Sequence, residues 1–579
     1  MPTSRPNADL TLSSSTISIL CVAVGVFWAA CGIVLWIGFG SPHGMVVTEI
    51  QGTWRNTHRW RPIVLVLLLS LILESIFVTR LRMPLRLRQI SEQIWRRVCY
   101  LLALGGFALS MFAVCVLRAF PNSGDEYVYT FQARTFLAGH LWNVLLPGHE
   151  FFSLFHVIEK DGRWVSQYPP GWPLLLAGLH LLGVPFWMAS PILTFALLVV
   201  LARFCHYTDG ATASIIALVL MAVSPFFAFN AGSVYSHTAA ALCGLLFCYF
   251  ATKFIDRPEF RAALFTGASL GALGLIRSFD VVFFALPFAV ELVARIPKNR
   301  YWQLLAIALG GAPFLAALLL YNRAITGDAF LPVFKWGFPQ LNIGLHPSDE
   351  WGIQASLRNT MGFALTHILE LAEWTSPVLV LAYVPALFWK IARSKVRFFD
   401  FIFPATLLAY LLFAHLGGNR YGPRYYFDSY PLFVMTIAVM IDGLLKEQRD
   451  NIVGVATEGL VVAHLAICLA SLVVLSIFMR QVVDERMDLY DQVRWAGLHN
   501  AVVIVRSNTG FLRPMPGPAL TRNGIGRDGD VIYVNDLPGR VCDLRTLFPA
   551  RLMYVYERDK DQLHGNLIRI GTEGTTQLK

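Results

Sequence analysis

Apolar windows of about 20 residues recur along most of the chain, separated by short polar stretches rich in Arg and Lys. As a helix, each window is long enough to cross a hydrocarbon core about 30 Å thick. Backbone polar groups find no water inside lipid, so the windows predict helices rather than open strands. Thirteen spans are expected, at roughly 16–39, 62–79, 98–118, 187–205, 210–228, 236–254, 262–277, 281–295, 301–320, 373–390, 398–416, 425–443 and 455–479. One more apolar segment, 171–185, opens on "YPPGWP" and is short for a crossing. Prolines suit the first turn of a helix or the extended chain before it.

Beyond Arg480 the period changes. An amphipathic, charged run at 482–499 precedes the short β-type runs "AVVIVR" (501–506), "DVIYV" (530–534) and "LMYVYE" (552–557), which Gly- and Pro-rich turns separate. The expected organisation is an N-terminal pair of spans with a basic loop (1–96), a transmembrane catalytic module (97–445) with an outer loop at 119–170, a last span (446–480), and a small α/β domain (481–579). The fold class is therefore an all-α polytopic membrane protein with outer-face surface helices and a small C-terminal α/β extracytoplasmic domain.

Composition agrees: 56% of the residues are hydrophobic and the mean hydropathy is +0.55. The net charge of +10 does not imply nucleic acid, because most of the cations sit in short loops between spans, as topology signals do. The loop 80–97 carries six arginines and one acid and reads as cytoplasmic. If 171–185 does not cross, the basic loops near 203–206, 253–261, 295–300, 390–397 and 446–449 share that side. This favours a re-entrant or surface-lying helix at 171–185, a cytoplasmic N-terminus and a periplasmic C-terminal domain. The first span is too long for a signal-peptide core and reads as a retained anchor. Eight of the nine cysteines lie in or beside apolar spans, which argues against a disulfide framework.

This topology gathers the chemistry on the outer face. "NSGDEYVYTFQ" places Asp125 and Glu126 just past a span end. Charge beside hydrocarbon is costly and marks function or pairing. A carboxylate there can take a proton from a sugar hydroxyl; the ordinary alternative is a solvated loop acid. In the same loop "FHVIEKDGRWVSQY" reads as a hairpin about Asp161-Gly162, with His156, Lys160 and Arg163 in structural roles. Tyr168 and Trp172 could wall a sugar or lipid cavity. Outer cations run against the insertion bias, and the planar donor fork of arginine suits phosphate. Arg277 in "RSFD" and Arg420 and Arg424 in "NRYGPRYY", beside Tyr425, are candidates for a lipid phosphate. His237 and Lys335 are weaker ones, and lipid headgroups are the ordinary partners of any single outer arginine. Metal-site spacings and a nucleotide-binding glycine loop are both missing, so no metal or cofactor is expected.

Together the segments "GDEYVYTFQARTFLAGHLW", "SQYPPGWPLLLAGLHLLGVP", "NAGSVYSHTAAAL", "LIRSFDVVFFALP", "YNRAITGDAFLPVF" and "GPRYYFDSYPLF" resemble, in that order, the GT-C membrane glycosyltransferases. The resemblance covers residues 97–445 and is to the bacterial branch of protein O-mannosyltransferases and aminoarabinose transferases. It implies a GT-C-like fold and a polyprenyl-phosphate sugar as donor. It further implies a glycan, glycolipid or protein acceptor, action on the outer face of the bacterial inner membrane, and inverting transfer of a hexose or pentose. By match, Asp125 is the catalytic base with Glu126 as helper, and Arg277, Arg420 and Arg424 hold the donor phosphate. The chain departs from the family pattern in its two extra leading spans and in "RSFD", where an Arg-Pro is usual. A flippase of lipid-linked sugars, or a polysaccharide polymerase or ligase, stays open as the alternative.

Overall fold

A computed structural model describes residues 90–154, 156–295, 302–339, 344, 356–411, 421–447, 452–506, 520, 522–558, 564–571 and 575–577. The predicted spans at 16–39 and 62–79 lie outside these residues. The chain divides into two compact units. The first draws on Met1–Arg97, Ala202–Met221 and Ile343–Cys468, and the second on Val98–Leu201, Ala222–Asn342 and Leu469–Lys579.

Helices dominate. In chain order they begin with α1 (Glu92–Val116), α2 (Gly124–Leu137), α3 (Gly171–Leu181), α4 (Phe186–Asp209), α5 (Ala211–Ala222), α6 (Pro225–Ala231), α7 (His237–Asp256), α8 (Phe260–Ile276) and α9 (Asp280–Arg295). They continue with α10 (Leu304–Thr326), α11 (Val333–Gly337), α12 (Leu357–Trp374), α13 (Pro377–Ala392), α14 (Ile402–Leu411), α15 (Tyr430–Glu447), α16 (Ile452–Trp495) and α17 (Val541–Leu547). The protein is a multi-pass membrane protein. Among the described residues six helices are long and apolar enough to cross a bilayer, or eight if each bent pair is one span. α5 and α6 meet at 73°, at a break before Pro225, and α12 and α13 meet at 115°, before Pro377. Proline opens a new helix more easily than it continues an old one. The sequence predicts eleven spans between 98 and 479; the three left over correspond to shorter helices, at α8, α9 and 398–410. α3 has 11 residues and a length of about 16 Å, half a hydrocarbon core.

α16 runs 44 residues, about 66 Å, straight from the apolar run into the charged one. No Gly or Pro interrupts it between Leu460 and Ala496. Gly497, at φ 58°, then ends it, with the Leu498 amide bonded back to the Val493 carbonyl at 3.2 Å.

Two sheets belong to the second unit. β2 (Val157–Lys160) and β3 (Arg163–Ser166) form the predicted hairpin, and β1 (Asn143–Val144) pairs on the other side of β3. Asp161 and Gly162 both have positive φ, as a type I′ turn requires. Lys160 therefore faces Arg163, and Val157 faces Ser166. The C-terminal sheet has the order β5-β4-β6-β7-β8. β4 (Ala501–Arg506) runs parallel to β5 (Val531–Asn535) and β6 (Leu552–Glu557), and β7 (Asn566–Ile570) and β8 (Thr575–Gln577) add on antiparallel.

One face of this sheet is the core that holds α2. Val502, Ile504, Ile532, Val534, Met553 and Val555 pack with Val128 and Phe131 of α2 and with Phe152, Val157 and Trp164 of the segment between α2 and α3. Each such side chain contributes about 1.5–3 kcal/mol on leaving water. The other hairpin face, Ile158 and Val165, packs on Tyr321, Ile325, Val333 and Trp336. Lys160 donates to the Trp336 carbonyl at 2.9 Å and Arg163 to that of Ile325, so both cations anchor the hairpin.

Candidate active site

α2 begins where the chain leaves α1. Arg118, at φ 55°, turns the chain, and its guanidinium grips Asp491 of α16 with both terminal nitrogens, at 2.9 and 3.2 Å, and Asp484 at 3.0 Å. These bonds, to Asp491 first, hold its pKa above the usual arginine value. Arg486 donates to the Asn122 carbonyl. Ser123 caps α2, its hydroxyl accepting from the Glu126 amide at 3.3 Å. Asp125 and Glu126 thus occupy the first turn, where the helix dipole favours negative charge.

Both carboxylates are buried, and they do different things. Glu126 accepts from the Asn122 amide at 3.2 Å with Oε1 and from the Val234 amide at 3.0 Å with Oε2. It ties α2 to the loop before α7. The same loop accepts the Trp172 indole at the Val234 carbonyl, 2.8 Å, and Ser236 bonds the Tyr129 hydroxyl at 3.1 Å. Trp172 is thereby locked at the start of α3. Gly171 beside it lies so close to the end of α8 that a Cβ would sit 2.6 Å from the Leu275 carbonyl oxygen.

Asp125 meets side chains instead. The Tyr168 hydroxyl donates to its Oδ1, and His156 Nε2 lies 3.3 Å from the same oxygen. Gln167 Nε2 is 2.8 Å from His156 Nδ1. With the amide donating there, Nδ1 is the acceptor and Nε2 carries the hydrogen that points at Asp125. The hairpin register sets this chain up, because His156 and Gln167 lie one step beyond the Val157–Ser166 pair. His156 is an orienting partner of Asp125, beyond the structural role expected from the sequence. Its signal was the distance from the Asp161-Gly162 turn, which places it opposite Gln167 and beside Tyr168. His156→Gln should lower the turnover of whatever reaction Asp125 serves by about tenfold to a hundredfold, with KM changed little, as a lost positioning contact does. Steady-state kinetics check this, and unchanged turnover would reduce His156 to packing.

The expected phosphate ligands divide between the units. In the second unit Arg277 caps α8 and pairs with Asp280, three residues on. His237 is buried at the first turn of α7, with its ring edge-on to Tyr235 at 5.7 Å. Lys335, half-buried, donates to the Pro339 carbonyl at 2.8 Å. In the first unit Arg424 opens a short 3-10 helix, Arg424–Ser429. It is 8% exposed and lies 5.4 Å over the Tyr425 ring, which stacks on Tyr410 at 4.9 Å. Arg420 lies outside the described residues. Asp125, Glu126, Tyr168 and Trp172 are therefore brought together by the second unit, while Arg424 and Tyr425 belong to the first.

No protein-family model and no curated protein sequence matches the chain. Among solved structures, ArnT from Cupriavidus metallidurans bound to undecaprenyl phosphate aligns over 84% of this chain and 100% of its own, at 10% identity and a TM-score of 0.51. The chain has the GT-C fold. The apo state of that ArnT aligns over 77% and 92%, at 12% identity and a TM-score of 0.48. The arabinosyltransferase EmbB from Mycobacterium smegmatis aligns over 78% of this chain and 48% of its own, at 13% identity and a TM-score of 0.40. At these identities the likeness is one of GT-C architecture, and the roles of side chains rest on the geometry above.

Proposed function

We propose that this chain is a membrane glycosyltransferase. It moves a monosaccharide from a polyprenyl-phosphate sugar to an envelope glycan, glycolipid or protein acceptor on the outer face of the cytoplasmic membrane. The observation that carries this reading is the buried Asp125 carboxylate in the first turn of α2, held by Tyr168 and by the Gln167–His156 pair. The GT-C architecture, shared with an ArnT solved with undecaprenyl phosphate, supports the lipid donor.

The step is a single displacement. Asp125 takes the proton of the acceptor hydroxyl as that oxygen attacks the anomeric carbon. The bond from that carbon to the phosphate oxygen breaks, and polyprenyl phosphate leaves with the electron pair. The anomeric centre inverts, and Asp125 later returns its proton to water. Tyr168 and His156 fix one carboxylate oxygen, so the carboxylate does not rotate away during the transfer. Arg424, with Arg420 and Arg277, neutralises the charge that grows on the leaving phosphate. A lipid donor explains a buried acid at the end of an apolar helix: the tail stays in hydrocarbon while the sugar enters from the bilayer edge.

The test is purified protein with a labelled polyprenyl-phosphate sugar. Label appearing on an envelope acceptor supports the enzyme, whereas label crossing liposomes with no product makes the chain a flippase. A requirement for a lipid diphosphate oligosaccharide makes it a polymerase or ligase. In the same assay Arg424→Ala should raise the donor KM by about tenfold or more, the cost of a lost charge-assisted contact, and leave the acceptor KM within about twofold. Equal effects on both substrates would remove Arg424 from the donor site.

A further inference from the structure

On α2, Tyr127, Thr130, Phe131 and Arg134 recur at helical spacing and share one face. Asp125 is two residues from Tyr127, about 200° round the helix, so it faces the other way. The Tyr127 face lines a cavity of about 30 Å3, closed by Phe152 and Trp164 of the segment between α2 and α3 and by Asn523 and Arg527 of the C-terminal domain. That volume holds about two water-sized centres, the bulk of a carboxylate or of part of a phosphate.

Arg527 is the feature that asks for a ligand. It is 92% buried, its Nη1 donates to the Pro147 carbonyl at 2.8 Å, and its guanidinium lies 3.9 Å over the Phe152 ring. Among the described residues neither Nε nor Nη2 has a hydrogen-bond partner, although both are buried. Glu159 and Glu150 act on it by charge, but neither forms an ion pair with it. Glu159 is bonded to His149 at 2.7 Å, and Glu150 faces Arg540 at 3.6 Å. Burial lowers the pKa of Arg527. Arg134, also in the lining, is exposed, and its Nη1 donates to the Asn523 carbonyl at 3.5 Å. A buried guanidinium with two unbonded donors is costly, and an anion removes that cost with charge-assisted hydrogen bonds. Arginine presents those donors in one plane, matched to two oxygens of a carboxylate or phosphate.

We infer that this cleft, on the side of α2 away from Asp125, binds a compact anionic group, a carboxylate or a phosphate, between Arg527 and Arg134. It stands apart from the transfer reaction and does not depend on it. An acidic sugar of an acceptor glycan and a free phosphate or phosphate headgroup both supply that chemistry.

Titration calorimetry of the full chain in detergent, at constant ionic strength, tests it with sodium glucuronate, glucose and inorganic phosphate as probes. Saturable binding of glucuronate alone supports the site and identifies an acidic sugar. Binding of phosphate alone, or of both anions, supports it and identifies a site for anions in general. Arg527→Gln and Arg134→Gln should each weaken binding by about tenfold or more, the worth of a charge-assisted bond. Arg540→Gln, on the exposed surface, should leave it unchanged. If Arg527→Gln does not fold, Arg134→Gln carries the comparison. Wild-type protein that binds neither anion, binds glucose equally, or keeps its affinity in the folded variants overturns the inference.

Discussion

Asp125→Asn is expected to abolish sugar transfer almost completely while the protein folds and inserts normally. The amide oxygen can still accept from the Tyr168 hydroxyl and from His156 Nε2, so the network that seats the side chain survives. What disappears is the basic oxygen. General-base catalysis is worth about a hundredfold to ten-thousandfold, so kcat should fall by that factor, with the donor KM close to the wild-type value. Thermal unfolding in detergent, run beside the kinetics, separates lost chemistry from lost structure. A variant that keeps its unfolding temperature and transfers sugar within about tenfold of wild type would end the claim that Asp125 is the base.

The largest structural effect is expected from a residue far from any carboxylate. Gly267 on α8 and Gly310 on α10 face each other where the two helices cross, and a Cβ on either would overlap a backbone carbonyl of the other helix, Ile307 or Leu264. Small residues let membrane helices approach this closely, and the backbones cannot shift as a flexible side chain could. Gly267→Val should therefore cost about 3 kcal/mol or more and lower the unfolding temperature by about 2–3 °C or more, or prevent folding. Gly178→Val on α3, where a Cβ meets nothing within 4 Å, is the matched control. Equal unfolding temperatures for the two variants would show that the crossing is looser. The crossing also matters for the candidate site, because the far end of α8, at Leu275 and Ile276, is the surface on which Gly171 starts α3.

Much of this was legible in residue order. The Asp-Gly pair announced the hairpin, and with it the register that puts His156 opposite Gln167. The runs at 501–506 and 552–557 are β4 and β6. The acid pair read as the start of something functional, and it is the first turn of a buried helix. Tertiary effects were not legible. Nothing near Glu126 in the sequence announces that its carboxylate bridges two backbone amides, one of them more than a hundred positions away at Val234. Hydropathy alone could not separate full crossings from helices bent at Pro225 and Pro377, because a bend leaves the apolar window intact. Nor could it show that α16 carries on beyond the last apolar residue, since a polar face is no obstacle to a helix that lacks a breaker. The C-terminal strands were visible, but their partner, α2, was not, because that contact joins distant parts of the chain.

That last contact also has a schedule. Val128 of α2 and Val502 of β4 share one core although roughly 370 residues separate them. A ribosome adding 5–20 residues per second needs about 20–70 s to make that interval. For that time the helix that carries Asp125 has been made, while the sheet that covers its apolar side has not. The C-terminal sheet therefore acts as a clasp that closes only once β4 and its neighbours have been made. Until it closes, Phe131 and its neighbours lack part of their cover, and folding of this core is timed by the synthesis of the sheet rather than by that of α2.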